Sequence, residues 1–390
     1  MSKLGQQDLI RLFVMPDTAL EYNETQWSGI VQLLRHEKLL ARYGHRLADH
    51  HLLEQLPLSV QHHFNNAMDV TTRHIHQVHH TVKLIHRLLG ESYPMIVLKG
   101  AAYTLLGDVV SRGRIYSDID IWVQQSDIAG AEQQLKLTGW FSGEMDDYDD
   151  RYYREWAHEI PPMYHGGTGA VLDMHHNIVP PVSGRAVDVS FFIQHIEVTA
   201  SGVKVLSLPA RTLHSTIHLL FNEECEYALR DLIDLLLMFE QFSLDDWDIY
   251  WALAQQTGFA RESVMAIDLC QNMLSLSVPE AIAKQAGRIQ KKVSTRALVA
   301  VYQRIIASSH PLVASRLSKV CERFIWLRGH YLKMPWTLLL YHMMMKAYRS
   351  TAQIVLGRHI FTKTDPELLG PLKTGQDVKC SHKMQREMHR

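Results

Sequence analysis

The stretch "SDIDIWV", Ser117 to Val123, sets Ile119, Ile121 and Val123 on one side of a period-two pattern and Asp118, Asp120 and Trp122 on the other. A strand with one face anchored in a core satisfies that alternation, and a helix does not. The two carboxylates then project from the exposed side of a rigid strand, roughly 7 Å apart at the backbone. Like charges held this close repel, so the pattern asks for a cation between them.

Upstream, "MIVL" (Met95–Leu98) reads as a buried strand that stops at Lys99 and Gly100, with "AAYTLL" opening a helix. A glycine followed by small residues at a helix start lets backbone amides approach a phosphate, and Lys99 adds a point charge. Arg112 and Arg114, just ahead of the aspartates, can meet further phosphate oxygens. Downstream, "AVLDMHHNIV" and "VKVLSL" read as further strands, with a helix in "SDIAGAEQQLKLTGW". Asp173 supplies a third carboxylate on the first of these, and His175 shares its face as a candidate proton acceptor. Converging carboxylates hold Mg²⁺ together with substrate phosphates, and a pair of such ions can serve an in-line displacement.

The D-x-D spacing alone is weak, because average composition gives about one match in a chain of this length. Asp147 and Asp149, in the loop-like acidic run "EMDDYDDRYY", and Asp246 and Asp248, ahead of a helix, read as solvated surface and helix-end complement. Only Asp118 and Asp120 sit in a strand with an apolar reverse face.

The sheet-forming texture is confined to residues 91–208. Residues 1–90 and 209–361 carry apolar positions three and four apart and read as helical regions, and 362–390 is polar, aperiodic and tail-like. The expected fold is therefore α+β: a small mixed-sheet core between N-terminal and C-terminal helical regions. The sequence gives no long apolar span and no signal-peptide pattern, and its four cysteines are scattered, so a soluble, cytoplasmic protein is expected. A net charge of −1 offers no broad basic field, and no nucleic-acid partner is expected. Of the 24 histidines, His76 and His80 lie at i and i+4 on a helix. With no carboxylate or cysteine to complete a ligand set, they read as a solvated face. His214 and His218 repeat that spacing and read as packed inside the helical half. Asp231 and Asp234 lie on one side of a very apolar helix, facing a cleft or pairing with Arg230 and other cations.

Taken together, "VLKGAAYTLL…RGRIYSDIDIWV" and the later "VLDMHHNI" resemble the DNA polymerase beta-like nucleotidyltransferase superfamily. They resemble most closely the bacterial group of uncharacterised nucleotidyltransferases, over most of residues 20–350. The resemblance implies a metal-dependent transfer of a nucleoside monophosphate from a nucleoside triphosphate, ATP among them, to a hydroxyl-type acceptor on a small molecule. It makes Asp118, Asp120 and Asp173 the catalytic, Mg²⁺- or Mn²⁺-binding carboxylates, and Lys99, Gly100, Arg114 and Ser117 the nucleotide-binding residues. Ala101 stands where the superfamily has a serine that contacts the triphosphate. The alternatives are a nucleotide-binding scaffold with little turnover and a protein-modifying adenylyltransferase.

Overall fold

The computed structural model describes residues 4–356 apart from 144 and 146; the tail expected over 362–390 lies outside the described residues. Seven strands form one mixed sheet: β1 Met95–Val97, β2 Ile119–Val123, β3 Trp140–Ser142, β4 Met163–His165, β5 Val171–His175, β6 Ile196–Val198 and β7 Lys204–Leu206. Their order across the sheet is β3-β4-β5-β2-β1-β7-β6. The central strand β2 runs antiparallel to β1 and parallel to β5. The α+β class expected from the sequence is the one observed, and the sheet also includes β3, β4 and β6, which the sequence did not reveal.

The period-two pattern decides which side of each central strand meets which helices. Ile119, Ile121, Val123, Leu172 and Met174 are buried in one core with Val78, Val82 and Ile85 of the Leu58–Leu89 helix and Ala131 and Leu135 of the Ile128–Lys136 helix. The opposite face carries Asp120, Trp122, Asp173 and His175 and meets the other helical layer. That layer is continuous with the larger core, where Leu9, Trp27, Tyr43 and Phe64 from the N-terminal region join Leu213, Leu232, Tyr250 and Tyr302 from the C-terminal region. No described helix is long and apolar enough to cross a membrane.

Two local expectations are corrected. Residues Asp147–Glu155 form a helix rather than a loop, because Asp147, Asp149 and Asp150 fall in its first turn, where negative charge suits the helix dipole. The aspartate face of the sheet is also not exposed. Asp120 is only 6% exposed because the helices Leu208–Phe221 and Ala228–Phe239 roof the sheet there.

A buried ion cluster joins three parts of the chain. Asp234, on the Ala228–Phe239 helix, accepts from Arg42 Nη1 at 2.5 Å through Oδ1 and from Arg114 through Oδ2. Arg42 comes from the N-terminal Leu40–Asp49 helix and also donates to the Val110 carbonyl, while Arg114 lies in the loop that leads into β2. All three side chains are buried. Gly113 sits at φ +73°, and a Cβ there would lie 2.5 Å from the Arg42 backbone nitrogen. Glycine is therefore what lets this loop close over the Leu40–Asp49 helix.

Removing the shared carboxylate strips the buried Arg42 of its carboxylate partner and leaves Arg114 only the more distant Asp231. Asp234→Ala should cost about 3–5 kcal/mol of stability, read as a lowered urea midpoint or melting temperature. A surface control such as Asp246→Ala should cost about 1 kcal/mol, the loss of its half of the capping box with Ser243.

Candidate active site

The end of β1 and the start of β2 lie side by side, with the Leu98 backbone N–H donating to the Asp120 carbonyl at 2.9 Å. Lys99 follows at once as the first residue of the Lys99–Leu106 helix, in a left-handed conformation with φ +46°. That turn points its side chain back across the sheet, where Nζ donates to Asp120 Oδ1 at 2.7 Å. Asp120 and Asp173 are direct neighbours on parallel β2 and β5, as are Trp122 and His175. Asp118 precedes β2 and is half-buried, and Ser117 beside it is exposed, its Oγ 3.5 Å from Asp118 Oδ2.

Above these groups lies a cavity of about 370 Å³. Its sheet side presents Lys99, Gly100, Ser117, Asp118, Asp120 and Asp173, and its helical side presents Lys38, His218, Arg230, Asp231 and Lys333. Arg114 reaches the cavity wall with its guanidinium on Asp234, 3.7 Å from Asp231. Arg112 turns away and pairs with Asp49 at the surface. Gly100 has a steric reason to be glycine, since a Cβ there would lie 2.7 Å from the Tyr116 ring.

Charge in the cavity is unbalanced towards the negative. Burial opposes ionisation of Asp120, but the Lys99 ammonium and the His175 hydrogen bond outweigh it and hold this carboxyl far below its usual range. Burial likewise disfavours the Lys99 ammonium, yet Asp120 and then Glu159 push its pKa above the ordinary lysine value. Asp173 behaves oppositely: burial, then Glu159, Asp120 and Asp118, drive its pKa well above normal. Its Oδ1 is buried with no hydrogen-bond partner. Burial and the charge of Asp120 raise Asp118 too. Among the helical groups, burial and Lys99 pull His218 down to about 3 and His214 well below normal. For Asp231, burial is outweighed by Arg230 and Arg114, which hold it at about 2.

Three carboxylates around one lysine, one of them carrying an orphaned buried oxygen, form a hard-oxygen donor set that fits a divalent cation such as Mg²⁺. His175 is not a free base: Nε2 lies 2.9 Å from Asp120 Oδ1 and Nδ1 lies 3.2 Å from Glu159 Oε2. Glu159 and His158 escaped the sequence reading. They lie in "EWAHEIPP", outside any strand-length run, and reach the site through an isolated bridge between Glu159 and His175. The only available signal was an adjacent His-Glu pair ahead of two prolines.

A sequence model of the family described as Uncharacterised nucleotidyltransferase matches residues 23–275. The chain belongs to that family. The match takes in the Arg42–Asp234–Arg114 cluster, all seven strands and most of the cavity, and it ends before the helix that contributes Lys333. No curated protein matches the chain. Members of this nucleotidyltransferase family are transferases by description, and the site of this member gathers its chemistry on the β1–β2–β5 face.

The raised Asp173 pKa has a measurable consequence. A carboxyl that binds its proton more tightly folded than unfolded contributes stability that is complete below its ordinary pKa and is lost as pH rises through the folded value. Asp173→Asn removes that loss. It should raise the melting temperature at about pH 8 and change it little at about pH 4, in thermal melts without added metal.

Proposed function

We propose that the protein moves a nucleoside monophosphate from a nucleoside triphosphate to a hydroxyl-type acceptor on a small molecule, with Mg²⁺ or Mn²⁺ held by Asp118, Asp120 and Asp173. The observation that carries this reading is the pairing of Asp120 with Asp173 on parallel strands, the Asp173 Oδ1 buried and unpartnered, beside Lys99 and Asp118 in one cavity. A divalent ion bound there supplies charge neutralisation for the triphosphate and the departing pyrophosphate.

The remaining roles belong to the chain itself. Lys99 stands at the start of a helix, where first-turn amides and the helix dipole favour anions, so its ammonium is placed to meet phosphate oxygens. Gly100 leaves that helix start without a side chain of its own. Ser117 offers an exposed hydroxyl beside Asp118. Arg114 works from behind: held by Asp234, it fixes the loop that delivers Ser117 and Asp118. The helical wall supplies Arg230 and Lys333 towards the nucleotide or acceptor. Their own carboxylate partners, Asp231 and Glu223, orient them.

The Lys99–Asp120 ion pair favours one second reading, a nucleotide-binding scaffold with little turnover, because the ammonium already neutralises one carboxylate. Incubating the protein with each ribonucleoside triphosphate and Mg²⁺ or Mn²⁺ should release pyrophosphate with at least one of them. Asp118→Asn and Asp120→Asn should each lower that rate by at least about 10²-fold. Nucleotide binding without pyrophosphate release would select the scaffold, and unchanged rates in both variants would remove the aspartates from the chemistry.

A further inference from the structure

The contacts running from Lys99 through Asp120 and His175 end at the carboxylate of Glu159. Asp120 Oδ1 accepts from the Lys99 ammonium at 2.7 Å, so it acts as a carboxylate, and His175 Nε2 at 2.9 Å must be the donor. In a neutral imidazole that leaves Nδ1 as a lone pair. Nδ1 faces Glu159 Oε2 at 3.2 Å, and two acceptors at that separation require a cation or a proton. A third donor atom stands beside them. The His158 ring lies 5.3 Å from that of His175, and its Nδ1 is buried with no partner.

We propose that His158, Glu159 and His175 form a second divalent-metal site, separate from the three aspartates and selective for a nitrogen-binding ion such as Zn²⁺ over Mg²⁺. One ligand atom from each lies within 4.8 Å of the other two. Two imidazoles and a carboxylate make a donor set that suits zinc, whereas Mg²⁺ prefers oxygen and retains its waters. The His175 Nε2–H on Asp120 is the outer hydrogen bond that fixes tautomer and ring orientation for a metal-bound histidine.

The backbone holds these residues on a rigid element. The Ile160 N–H donates to the Met174 carbonyl at 3.0 Å, and the His176 N–H donates to the His158 carbonyl at 2.9 Å. The segment carrying His158 and Glu159 is thus clamped to the end of β5. Both residues line the cavity, which leaves an open approach for the ion and for a further ligand. The site does not depend on nucleotidyl transfer, although His175 ties it to Asp120.

Co²⁺, a visible-absorbing stand-in for Zn²⁺, tests the proposal on the full chain. Metal-stripped protein should take up Co²⁺ with d–d absorption in the visible, which Zn²⁺ abolishes by displacement and excess Mg²⁺ leaves in place. Glu159→Gln, isosteric and at a partly exposed side chain, and His158→Ala should each weaken this uptake by at least about 10-fold, with circular dichroism confirming the fold. Asp118→Asn should retain it. Absence of the spectrum in the unaltered protein, or its persistence undiminished in both variants, would show that a shared proton fills the His175–Glu159 contact and overturn the proposal. Equal loss in Asp118→Asn would overturn it too, by assigning the ion to the aspartates. Co²⁺ uptake with no pyrophosphate release would uphold this site while the nucleotidyl-transfer reading fell.

Discussion

The sheet face is organised around the carboxylate of Asp234, which receives two buried arginines, one from the N-terminal helices and one from the loop into β2. Arg42 brings the N-terminal helices, Arg114 brings the loop into β2, and the Ala228–Phe239 helix brings the roof of the cavity. A buried charge cluster of this kind adds little net stability over an apolar equivalent, but breaking it is costly because each member then faces low dielectric alone. Its effect is to make the geometry discrete. The loop from Ser111 to Ser117 is anchored where Arg114 meets Asp234, just ahead of Asp118 and Asp120.

The second organising fact is the mismatch between anions and cations beneath that roof. Lys99 pairs with Asp120, while burial and the neighbouring carboxylates raise the proton affinities of Asp118 and Asp173. Carboxylates placed side by side on neighbouring strands cannot relax apart, because the backbone ladder fixes them. Perturbed carboxylates gathered in a cavity in this way are the electrostatic pattern that makes a pocket a candidate functional site.

Much of this was legible in the sequence where a pattern belonged to a single element. The alternation in "SDIDIWV" gave both the strand and the face on which its aspartates lie, and "MIVL", "VLDMH" and "KVL" followed the same logic. Arg114 shows the limit: its type suggested phosphate, but its partner lies 120 residues away, and no local pattern carries that distance. The burial of Asp120 was illegible for the same reason, since the roof over it comes from residues beyond 208. Strands β3, β4 and β6 lie at or next to the sheet edges and keep most of their side chains partly or fully exposed, so they lack the apolar run that marked the equally short β1 and β7. The Asp147–Glu155 helix was hidden by an acidic composition that reads as loop unless its place at a helix start is known.

Position 99 sets two requirements that no single amino acid meets. Its backbone, at φ +46°, asks for glycine, and any residue with a Cβ gives up about 1–2 kcal/mol there. Its side chain must reach Asp120 with a positive charge, which only a long cationic residue can do. Lysine accepts the strained turn in order to deliver the ammonium, and its flexible stem absorbs the awkward starting direction. Drift at this position is thereby confined from both sides: a glycine would relax the turn and abandon the carboxylate, and arginine would bring a planar fork into a space shaped for a point charge. The tolerance of this site to sequence change is therefore narrow for reasons of chain geometry as much as of chemistry.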